Sequence, residues 1–125
     1  MKEIRRKVHV PLYGGWIVII ISDEEHVADS VKRHFPEDHL DSNINAVVLY
    51  TRLNGPTIFP VLFATEADPG MTPGIIAHEA KYLVNNIFLN VGIELDRYND
   101  DAECYLLSWI VNRIWETKTK FDKLK

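Results

Sequence analysis

The chain has 125 residues, of which 46% are apolar and 26% charged, enough for one domain with a single sizeable core and too short for two ordinary ones. That composition excludes a disordered tail, a collagen-like fibre and a disulfide-stapled scaffold, since Cys104 stands alone. Eighteen acidic against 14 basic residues give a net charge of −4, which argues against nucleic acid as the main partner, because such binding rests on clustered Lys and Arg.

Lys2, Arg5, Arg6 and Lys7 resemble the charged start of a leader, but the apolar run Trp16–Ile21 that follows is too short. A secretory core needs about 7–15 apolar residues and a membrane span about 20. The expectation is a single domain over residues 1–125, cytoplasmic, with no membrane partner. The lone cysteine agrees with a reducing compartment.

Val8, Val10 and Leu12 alternate with Lys7, His9 and Pro11, a period of two that predicts a strand with one wet face. Pro11 lacks an amide hydrogen, which places this strand at an edge. Gly14-Gly15 supplies a reversal, and Trp16–Ile21, apolar without alternation, predicts a central strand covered on both faces. Ser22-x-x-Glu25 has the capping-box spacing, so a first helix is expected to start at Ser22 and to stop before Pro36. Pro36–Ser42 reads as a loop.

Ile44–Leu53 is a second β run, and Asn54-Gly55 is a strong two-residue hairpin signal. Thr57–Ala64 returns as a fourth strand, and Pro60 within it predicts an edge. Thr72-Pro73 then caps and opens a helix that reaches Val91 and stops at Gly92. Asn99-Asp100-Asp101 caps a last helix from Asp101 to Trp115, with a fraying tail after Glu116. The order ββαββαα predicts an α+β domain, a small antiparallel or mixed four-stranded sheet packed against helices.

The informative stretch is Gly74-Ile75-Ile76-Ala77-His78-Glu79-Ala80-Lys81-Tyr82. In His-Glu-x-x-His on a helix, residues i and i+4 lie one turn apart on one face. Two imidazoles then meet one metal, and the Glu takes a proton from metal-bound water. Here His78 and Glu79 hold the first two places and Tyr82 holds that of the second His. Glu103, in the first turn of the next helix, shares a face with Leu106, Leu107 and Ile110. A carboxylate on an inward face needs a metal or a cationic side chain. Asp100-x-x-Glu103 also has capping-box spacing. His78 reads alternatively as a satisfied half-buried histidine, Glu79 as a surface acid, and Tyr82 as a packing residue bonded to Glu103 or His78.

The segment Thr72–Trp115, with His78-Glu79-Ala80-Lys81-Tyr82 and Glu103-Cys104-Tyr105-Leu106-Leu107, resembles small zincin-like metallopeptidases of bacteria and phages. The resemblance implies zinc as cofactor, held by His78, Glu103 and, in the second ligand place, Tyr82, with Glu79 as the catalytic base. It also implies a peptide or protein as substrate or partner, docked along Thr57–Ala64. A phenolate must lose a proton of pKa about 10 before it can ligate. The expectation is therefore a degenerate or weakly metal-binding metallopeptidase-type domain, a zinc hydrolase if active. The alternative is a non-catalytic interaction module on the same scaffold, binding a peptide along the sheet edge.

Other candidates carry less. His34 and His39 are five apart with Pro36 between them, and His9 and His26 stand alone. Cys104 has no neighbouring His, and Gly14-Gly15 lacks the residues of a phosphate loop. Trp109 and Trp115 face different ways and read as core and rim.

Overall fold

A computed structural model describes residues 1–40 and 44–124. The end of the expected Pro36–Ser42 loop, Asp41 and Ser42, lies outside them. Strand β1, Glu3–His9, pairs antiparallel with β2, Trp16–Ser22. After helix α1, Val27–His34, the short β3, Ala46–Val48, precedes β4, Ile58–Ala64. Helices α2, Pro73–Val91, and α3, Asp101–Asp122, complete the chain. The sheet is mixed and four-stranded, in the order β1-β2-β4-β3, with β2 and β4 parallel. The α+β class and the ββαββαα order are those read from the sequence. No helix among the described residues is long and apolar enough to cross a membrane.

β2 is central, as its unbroken apolar run predicts, and it feeds two cores. Ile17, Ile19 and Ile21 face α2 and α3 with Phe59, Val61 and Phe63 of β4. Val18 and Ile20 face α1 with Leu62, Val27, Val31 and Phe35. Alternation along a strand separates the two sets.

β1 begins earlier than the Val8–Leu12 alternation predicts and includes the basic residues. An edge strand tolerates them, and Arg6 lays its stem on the sheet and donates from Nη1 to Thr117 Oγ1 at 3.3 Å and to the Arg113 carbonyl at 3.4 Å. The strand ends at His9. Pro11 falls in the following turn, and Leu12 stands 97% exposed at φ +69°. Gly14 and Gly15 make the reversal at φ +76° and +79°.

The expected start of α1 at Ser22 is corrected. Ser22 pairs with Glu3 on one side and Ala64 on the other, and its carbonyl accepts from the Thr65 amide at 2.9 Å. Its hydroxyl donates to Glu24 Oε2 instead of capping. The two-sided ladder outweighs the local cap, and α1 starts at Val27 with no side-chain cap. It still ends before Pro36, at His34, with Phe35 as its C-terminal cap.

β4 is not an edge strand, and this corrects the reading of Pro60. The Pro60 carbonyl accepts from Leu49 N at 3.1 Å, so the missing donor points toward β3. There the β3–β4 pairing stops at Val48 and Val61. Asn54-Gly55 is correspondingly not a two-residue turn. The chains part beyond Val48 and meet again at the Arg52–Ile58 bridge, which closes a longer loop with Gly55 at φ +92°. The long Ile44–Leu53 run is therefore reduced to the three residues of β3.

α2 keeps its expected bounds. Thr72 Oγ1 accepts from Ile75 N at 3.2 Å, Pro73 opens the helix, and Gly92 closes it in the left-handed conformation. α3 does not fray after Glu116. Thr117 and Phe121 are buried against β1, and the helix runs to Asp122.

Candidate functional site

α2 lies across one face of the sheet and divides its polar residues between two flanks. Successive residues turn about 100°, so Glu79, Tyr82 and Asn86, at i, i+3 and i+7, form a stripe toward β3. Lys81, 200° from Glu79, faces α3 instead. There its Nζ donates to Glu103 Oε1 and, at 2.9 Å, to Asn85 Oδ1. Glu103 thus has the cationic partner its inward-facing position calls for. It is not part of a cap, because Asp100 makes no side-chain capping bond.

His78 is exposed and meets the ring of Tyr82 edge-on, with centroids 4.9 Å apart at 77°. It lines a shallow groove of about 340 Å³ with Glu79, Ile75, Ile44, Asn45 and Ala46. The expected ligand set of His78, Tyr82 and Glu103 is therefore not assembled here. His78 and Tyr82 lean toward β3, while Glu103 is held by Lys81 on the other flank. Among the described residues no three His, Cys, Asp or Glu side chains converge on one ion. As arranged, these residues do not fit a zinc ion.

Glu79 is not the surface acid of the simpler reading. It is 7% exposed, and among the described residues no hydrogen bond reaches its carboxyl. Burial pushes that carboxyl above its ordinary pKa, with the neighbouring His78 opposing. It faces a larger groove of about 490 Å³ that runs along the outer side of β3. Tyr82 and Asn86 form the α2 wall, and Asp38, His39 and Leu40 the other. Arg52 holds that second wall by pairing with Asp38 while its guanidinium lies 5.1 Å over the Phe35 ring.

The floor of the groove is the free side of β3. Asn45 O and Leu49 N bond to β4, so by alternation Ala46 and Val48 turn their amides and carbonyls outward. No strand among the described residues pairs there. The expected docking rail Thr57–Ala64 is interior, and β3 holds the edge beside α2. Asn86 and the wall residues were not singled out in the sequence, although the i, i+3, i+7 stripe with Glu79 and Tyr82 was available to find Asn86.

An unpaired carboxyl with a raised pKa makes folding favour its protonated form. Its stabilising contribution is complete below the ordinary carboxylate pKa and is lost as pH rises toward the folded value. Glu79→Gln is therefore expected to stabilise the fold by on the order of 1 kcal/mol at neutral pH. The gain should vanish in acid, and thermal melts across pH check it.

No family model, curated protein or solved structure matches the chain.

Proposed function

We propose that the domain is a non-catalytic interaction module on a zincin-like scaffold, which binds an extended peptide by adding it as a strand to β3. The observation that carries this reading is the outward main chain of Ala46 and Val48, set in a groove walled by Glu79, Tyr82 and Asn86. Strand addition draws its affinity from main-chain hydrogen bonds and its selectivity from the grooves beside the edge. The zinc-peptidase reading, with Glu79 as base, would need Glu103 to leave Lys81 and cross to the other flank of α2.

The test is selection of extended peptides from a displayed library, followed by affinity measurement on Val48→Pro. Proline matches valine in bulk, removes the outward amide and leaves the inward bonds to β4 in place. Losing one main-chain bond and meeting the ring should weaken binding at least about tenfold, with the melting temperature little changed. Unchanged affinity would place the peptide elsewhere and overturn the reading. Stoichiometric, stabilising zinc in protein purified without chelator would do so in favour of the hydrolase.

A further inference from the structure

Glu79 is largely buried, and no hydrogen bond from the described residues reaches its carboxyl. The neighbouring His78 imidazole shares the smaller groove with Glu79 without bonding it. Lys81 is spent on Glu103 across the helix, and Arg52 is spent on Asp38. His39 stands on the far wall of the larger groove, and among the described residues neither imidazole hydrogen-bonds the carboxyl. A largely buried carboxylate is disfavoured unless it is paired, protonated or hydrated. Glu79 lines both grooves beside β3, so a cation from outside can reach its carboxyl.

A strand added to β3 places alternate side chains over α2, as Ala46 and Val48 themselves are placed. We propose that the segment bound at β3 is basic, and that one of its Lys or Arg side chains enters between Ala46 and α2 to pair with Glu79. This rests on the edge-strand reading above and names the chemistry of its partner. The stem of the entering residue lies against Tyr82, whose ring is half exposed on that wall. An acidic side chain in the same place would face Glu79 and be rejected. Charge thus selects the partner, and the main chain of β3 supplies sequence-independent affinity.

The experiment uses alternating Thr–Val heptapeptides in which a single Lys is walked through every position, so that register is covered. A matched set carries norleucine in place of Lys, and affinities are read by calorimetry. One or more Lys peptides should bind the wild-type domain at least tenfold more tightly than their norleucine counterparts. Glu79→Gln should abolish the preference for Lys over norleucine at those positions. If Lys and norleucine peptides bind the wild type equally at every position, the basic-partner inference falls while the edge reading stands. If neither set binds more tightly to the wild type than to Val48→Pro, the edge reading falls and takes this inference with it.

Discussion

Phe121→Ala is expected to destabilise the domain by about 3 kcal/mol, lowering the melting temperature by roughly 12 °C. Phe121 is 3% exposed and belongs to the same core as Ile110 and Ile114 of α3. The Lys2 ammonium lies 4.4 Å over its ring, and one turn earlier Thr117 accepts from Arg6 of β1. Truncation would open a void beneath the first strand that neither neighbour can fill. Lys120→Ala, on the exposed side of the same turn, should cost less than about 0.5 kcal/mol. Denaturant or thermal unfolding of the two variants separates a docked helix end from a frayed one, for which both changes would be silent.

That helix end shows where local pattern stops being informative. The bounds of α2 are legible because each is written in neighbouring residues: a Thr hydroxyl and a Pro at the start, a left-handed Gly at the end. The end of α3 is set by β1, more than a hundred residues away in sequence, and no run of local residues announces it. The same holds for Ser22. Its hydroxyl and Glu25 have capping spacing, yet pairing with both Glu3 and Ala64 keeps it in the sheet. Pro60 was informative about one side of β4 only. Its lost donor ends the β3 pairing, and β2 bonds the other side undisturbed.

The site divides in the same way. That His78 and Glu79 sit on a helix was readable from the Thr72-Pro73 start and the Gly92 stop. That Glu103 needs a partner was readable from the apolar face it shares. Which partner it takes was settled by how α3 crosses α2, and the crossing brings Lys81 to it rather than His78. The consequence for function is that Glu79 and Glu103, close in role under the zincin resemblance, serve two different surfaces. One is closed by an internal ion pair, and the other opens, among the described residues, along the free side of β3.

Gly15→Ala is expected to cost about 3 kcal/mol, and Gly14→Ala about 1 kcal/mol, although the two glycines are adjacent and share a left-handed backbone. Any L-residue at φ near +76° to +79° bears the steric cost of that region, roughly 1–2 kcal/mol. At Gly14 that is the whole cost, because an added Cβ would meet nothing within 4 Å. At Gly15 the Cβ would lie 2.7 Å from Phe59 Cε2 and 3.3 Å from the Thr57 carbonyl. Phe59 is fully buried between β2 and α2 and has no room to withdraw, so overpacking adds about 1–3 kcal/mol. Phe59 pairs with Ile17 near the start of the parallel β2–β4 ladder, so the strain enters the sheet beside the Gly14-Gly15 reversal. Paired denaturation curves for the two variants check the difference. Equal losses would mean that the backbone conformation alone sets the cost and that Phe59 yields to the added methyl group.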